Sequence, residues 1–230
     1  DCPGRDIVSR FMYGGRYPLM VGFAALSLAT AIGVPLGLIS GYFGGWIDMV
    51  IQRITDIMLA FNPFLLALVL VAVLGVGLKS VIIAAGIGVT PQFIRLTRGQ
   101  ALSLREQVYV EAAQAFGERS LTIIWRHLLR NSWTPIIVFA TLNVGLTILV
   151  AAGLGFLGLG VQAPLPEWGT MLGEGRAYIF HASYTTTVPG RAIFLGVLAL
   201  NMAGAGVRDP ADPSLRLAQA GGERRSRVPT

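Results

Sequence analysis

Charged side chains are scarce in this chain, at 13% of residues, where a soluble domain carries about a quarter. With 53% hydrophobic residues and a mean hydropathy of +0.64, that deficit excludes an ordinary water-soluble domain and points to a membrane protein. Cysteine is nearly absent: Cys2 stands alone, so no disulfide can close within the chain. Histidine is limited to His127 and His181, and no metal-ligand cluster or Ser/His/Asp set is evident. A GxxxxGK[ST] phosphate loop is also missing, so any ATP-driven work has to be done by another chain. No catalytic residue, metal or cofactor is therefore expected. Residues 1–17 hold Asp1, Arg5, Asp6, Arg10 and Arg16 without the basic-then-apolar order of a cleavable signal peptide. The net charge of +6 does not indicate nucleic acid as a partner, because the basic residues fall between apolar runs instead of along one polar face.

What the chain does have is long apolar runs. Crossing roughly 30 Å of hydrocarbon takes about 20 apolar residues in a helix. Five segments qualify: 18–40, 57–77 (interrupted by Asn62-Pro63), 81–93, 136–160 and 188–206. The third is short and is expected to run past Pro91 toward Arg95. In the fifth, Arg191 is near enough to the start to snorkel to the interface. The 29 glycines suit spanning helices whose backbones approach closely. The expected fold is all-α, a polytopic membrane helical bundle.

Arginine placement orients these spans, since Lys and Arg concentrate on cytoplasmic loops. Six arginines lie between Arg95 and Pro135, and five more between Arg208 and Arg227. Val161–Thr187 holds only Arg176. The basic loop 95–135 and the C-terminus are thus expected in the cytoplasm, and 161–187 outside. Residues 1–17 then form an external segment, 18–210 the membrane domain, and 211–230 a cytoplasmic tail without ordered structure. Arg5, Arg10 and Arg16 run against this bias. An external start of this kind suggests a further spanning helix upstream.

The segment Ala101–Ser132 is too polar to span and too patterned to be irregular. Val108, Ala112 and Ala115 recur at helical spacing beside Tyr109, Ala113 and Phe116. Gly117 suits the left-handed turn that ends a helix, and Ser120 the N-cap of the next. Leu121, Ile124, Trp125 and Leu128 would form that second helix's apolar face. Two short amphipathic helices joined by a bend admit two readings: a pair lying on lipid headgroups, or a rigid element docking into a partner.

EAAQAFG at Glu111–Gly117 and RHLLRN at Arg126–Asn131 resemble the cytoplasmic signature of permeases of binding-protein-dependent ABC importers. Further strings, among them GVPLGLISGYFGGWID at Gly33–Asp48, GFLGLGVQAPLPEWGTML at Gly155–Leu172 and DPADPSLR at Asp209–Arg216, resemble the dipeptide/oligopeptide/nickel branch in order along nearly the whole chain. The resemblance implies six spanning helices with the first upstream, a second homologous permease subunit, two ATP-binding subunits, an external solute-binding protein and residence in the inner membrane. It further implies that Glu111, Ala112, Ala113 and Gly117, with Arg126 and Leu128, dock onto the ATPase, and that short peptides or a similar small solute are carried. The chain departs from the family pattern at Arg130, Asn62, Arg191 and Ala205. An ion-coupled secondary transporter and an inactive or truncated permease are the alternatives.

Outside the loop, Asn143 is a candidate for the translocation path, or else for a hydrogen bond to a partner helix. Pro164, Pro166 and Trp168 are candidates for contact with the solute-binding protein, or Trp168 for an interface anchor. Gly153, Gly155, Gly158 and Gly160 are better explained by helix packing than by a pore lining, and Asp56 is expected to pair with Arg53.

Overall fold

A computed structural model describes residues 7–161 and 165–211. All regular structure among them is helical. The helices are α1 (Ile7–Gly14), α2 (Arg16–Phe43), α3 (Gly45–Leu59), α4 (Pro63–Leu74), α5 (Leu78–Arg105), α6 (Val108–Ala115), α7 (Ser120–Phe156), α8 (Trp168–Gly175) and α9 (Tyr184–Ala211). Among the described residues, four helical stretches are long and apolar enough to cross a membrane: Ser9–Phe43, Leu78–Arg105, Ser120–Phe156 and Tyr184–Gly204.

The second expected span takes a different form. The chain bends by 93° between α3 and α4, so 57–77 is not one straight rod. Asn62 breaks it: its backbone is extended, its side chain accepts the Phe64 N–H at 2.9 Å, and Pro63 occupies the first helical position, where no amide hydrogen is needed. At 12 residues, α4 is about 18 Å long, short of the hydrocarbon thickness. The third span behaves as expected at Pro91 but continues to Arg105, which takes the start of the basic loop into α5.

Glycine sets the central packing. Gly33, Gly37 and Gly41 recur every four residues along α2 and press against α5. A Cβ on Gly37 would lie 2.5 Å from the Ile94 carbonyl oxygen and 3.0 Å from the Arg98 nitrogen. Backbone approaches backbone here, the geometry that small residues at i, i+4 spacing permit in membranes. The buried hydroxyls of Thr90, Thr97 and Thr147 donate within their own helices, as from Thr97 Oγ1 to the Phe93 carbonyl at 2.8 Å. Two apolar clusters result. One joins α2, α4, α5 and the second half of α7. The other runs from Ile148 in α7 through Phe93 to Val110 of α6, so α6 shares its core with the spanning helices.

At the end of α2 nearest α6, two ion pairs bind α3 to α5. Arg98 meets Asp48 through two contacts of 2.6 Å, and Arg95 meets Asp56 at 2.9 Å. The expected Asp56–Arg53 pairing is thus replaced by a partner on a different helix.

At the opposite end, Glu167 closes the turn between α7 and α8. It is 2% exposed, and its Oε2 accepts the Val161 N–H and the Thr170 hydroxyl, each at 3.2 Å. Gly155 and Gly160 pack against this carboxylate and Gly153 against the Phe64 ring, while Gly158 takes the left-handed turn after α7 at φ +79°. These glycines serve packing and turning. Burial raises the Glu167 carboxyl above its ordinary value of 4.5, against the opposing effect of its two hydrogen bonds. The folded chain therefore holds a proton that the unfolded chain has released, and stability declines as pH rises from 4.5 through the folded pKa. We expect thermal unfolding of the detergent-solubilised protein to show this decline, and Glu167→Gln to flatten it over the same window.

Candidate functional site

Helix α6 is an isolated two-turn helix between the ends of α5 and α7. Gln107 enters it in an extended conformation, and Arg119 leaves toward α7 in another. Its exit is the expected left-handed turn. Gly117 has φ +76°, its N–H donates to the Gln114 carbonyl at 3.0 Å, and the Glu118 N–H donates to the Ala113 carbonyl at 3.1 Å. These two bonds satisfy carbonyls that the helix end would leave unpaired.

Eight residues do not hold a helix in water unaided; packing on α7 does. Val110 is fully buried among Ile123, Ile124 and Leu128. Asn131 Nδ2 donates to the Tyr109 hydroxyl at 3.1 Å and to the His127 carbonyl at 2.8 Å. His127 Nε2 lies 3.0 Å from Glu118 Oε2, joining the turn after α6 to the same face of α7. A weaker contact of 3.4 Å runs from Gln114 Nε2 to the Tyr42 hydroxyl at the end of α2.

The second short helix expected here is instead the beginning of the 37-residue α7, and Arg119, not Ser120, occupies its N-cap position. Its buried face also differs. Ile123–Leu128 forms a π-helical segment, whose wider turn brings Ile123, Ile124 and Leu128 to one side and leaves Leu121 and Trp125 exposed. A 3.6-residue period could not place that face.

Glu111, Ala112, Gly117 and Arg126 are exposed. Ala113 is half-buried against the core, and Leu128 is fully buried, so Leu128 supports α6 and is not available for docking, a correction to the expected set. The docking set expected from the sequence omits the two most exposed large apolar side chains of the element, Val108 at 79% and Phe116 at 90%. Their signal was available, since both lie on the apolar period of the segment.

The remaining candidates change character. Asn143 is buried and donates to the Phe139 carbonyl of its own helix at 2.8 Å, so within this chain it faces no open path. Trp168 donates to the Phe11 carbonyl at 2.9 Å and stacks on the Phe11 ring, which turns it inward toward α1. Pro166 is half-buried, and Pro164 lies outside the described residues.

The bundle carries one short helix, α6, between two of its long apolar helices, α5 and α7. Two inward-facing crystal forms of the MetNI methionine ABC transporter share the fold, with TM-scores of 0.71 and 0.69 at 18% and 17% identity, covering 90% and 88% of this chain and 98% and 96% of theirs. Residues 33–216 match the family model of the binding-protein-dependent transport system inner membrane component, and the chain belongs to that family as a permease subunit of an ABC importer. It is 52% identical to the dipeptide transport system permease protein DppC of Alkalihalophilus pseudofirmus, over 93% of this chain and 70% of that protein. It is 44% identical to the glutathione transport system permease protein GsiD of Pectobacterium atrosepticum, over 94% and 72%. The chain is a multi-pass inner-membrane transport component, and the ion-coupled alternative is set aside.

Proposed function

We propose that this chain supplies one membrane half of an importer for short peptides and takes up mechanical work through α6 from an ATP-hydrolysing subunit. The observation that carries this reading is the two-sided construction of α6: one side is fixed in the core of the spanning helices, and the other presents Val108, Ala112 and Phe116, which no described residue covers. Exposed apolar side chains grouped beside small ones suit a partner's cleft. The relatives named for dipeptide and glutathione transport favour short peptides as solute.

In this reading two ATP-binding subunits hydrolyse ATP, and one holds Glu111, Ala112, Phe116 and Gly117 on the cytoplasmic side; the charge bias of the arginine-rich segments supports a C-terminus on that side too. A second homologous permease completes the path. Outward-facing Trp46, Met49 and Ile57 on α3 provide apolar surface for it or for lipid. An external solute-binding protein delivers solute at the 161–187 side, onto the loop carrying Pro164 and Pro166.

The test is Phe116→Asp in the assembled, affinity-tagged transporter. Phe116 is exposed, so the permease should accumulate normally while the ATPase subunit no longer co-purifies and ATP-dependent peptide uptake is lost. Undiminished co-purification and uptake would refute docking through α6.

A further inference from the structure

At the end of α2 remote from α6 lies an open cleft of about 370 Å³. One wall is a single helical face, on which Ser9 and Arg10, then Tyr13, then Arg16 and Tyr17 follow at three- to four-residue intervals. Leu165 and Pro166, from the turn before α8, form the other wall. We propose that this cleft binds the phosphodiester headgroup of an anionic phospholipid.

The cleft lies at the right depth. Ser9–Phe43 forms a continuous span of 35 residues, about 52 Å long, whereas the hydrocarbon core is roughly 30 Å. The uncharged run begins at Pro18, immediately below Arg16 and Tyr17, so the cleft sits where acyl chains give way to headgroups. Tyrosine is favoured at that level, with its ring in the apolar zone and its hydroxyl in the polar one.

The chemistry suits a phosphate. Arg16 is exposed, and its guanidinium lies 5.4 Å from the centre of the Tyr13 ring, which holds the charge over the cleft. Arg10 Nη1 is 3.6 Å from Glu174, so that cation is partly balanced and Arg16 provides most of the attraction. The hydroxyls of Tyr13 and Tyr17 can donate to phosphate oxygens.

A surface for the tails favours a lipid over a free anion. Leu19, Met20 and Phe23 follow Arg16 at i+3, i+4 and i+7, and all are exposed, at 42%, 51% and 52%. An apolar track therefore descends into the membrane from the guanidinium. A bound anionic headgroup also accounts for arginines on the side that the charge bias leaves poor in them.

The test uses the full chain in its assembled transporter, exchanged into mixed micelles of phosphatidylcholine with graded phosphatidylglycerol, and native mass spectrometry to count retained lipid. One phosphatidylglycerol should be retained in preference to phosphatidylcholine. Arg16→Gln should weaken retention about fivefold, Arg16→Lys largely restore it, and Phe23→Ala lower it for long-chain lipid. Inorganic phosphate at matched concentration should compete weakly. Equal retention of the two lipids, indifference to Arg16→Gln, or full displacement by inorganic phosphate, which would make this a free-anion site, would each overturn the proposal.

Discussion

Valine at Gly37 should leave little folded permease in the membrane. The first atom added there meets the backbones of Ile94 and Arg98 at 2.5 and 3.0 Å, so no side-chain rotation can relieve the overlap and α2 must move away from α5. Gly33 and Gly41, one turn to either side, hold the same approach, and separation at the middle position forfeits contact at all three. Overpacking of a core against flexible side chains costs about 1–3 kcal/mol; rigid backbone on both sides puts Gly37→Val above that range. Gly99 on α5 is the control, since its Cβ direction is open and alanine there should preserve yield and thermal stability. Folded yield, measured as the monodisperse fraction after detergent extraction, decides the matter. Equal yields from Gly37→Val and the wild type would show that the α2–α5 approach is not what holds the bundle.

The spans were legible because the bilayer imposes a length and a polarity that composition must meet, and four of the five expected segments fall in helices long and apolar enough to cross. Direction is a different property. Hydropathy does not register a 93° bend, and Asn62-Pro63, read as an interruption, is the capping signal of a new helix. The bend after α6 was legible through Gly117, whose left-handed turn is a local requirement, whereas the docking reading came from the resemblance of Glu111–Gly117 to the importer-permease signature. The support of α6 was not legible, because the burial of Ile123 in place of Trp125 depends on a π-helical turn. Trp168 and Phe11 lie 157 positions apart, so no local pattern could have paired them. The glycine period of α2 is visible in the sequence, but the helix that it faces is not.

Docking and transmission should be separable. Phe116 belongs to the outer side of α6, and Val110 to the side that joins it to the bundle. Val110→Ala removes packing from a fully buried site among Ile123, Ile124 and Leu128, at a cost on the order of 2 kcal/mol. Combined with Asn131→Ala, which removes the bond to the Tyr109 hydroxyl, it leaves α6 formed at its Gly117 turn but loosely attached to α7. The exposed residues that an ATPase would grip remain intact, so the double variant should still assemble and hydrolyse ATP. Motion of α6 would then be spent in the loosened joint before it reached the spanning helices. Peptide uptake per ATP hydrolysed should fall about tenfold, within the range that coupling free energies of 1–3 kcal/mol span. Phe116→Asp should show the opposite profile, losing the ATPase subunit while its joint to α7 stays whole. Measuring uptake and hydrolysis on the same reconstituted vesicles distinguishes the two. If the Val110 and Asn131 double variant transports at the wild-type ratio, the attachment of α6 to α7 is not the route by which work enters the membrane.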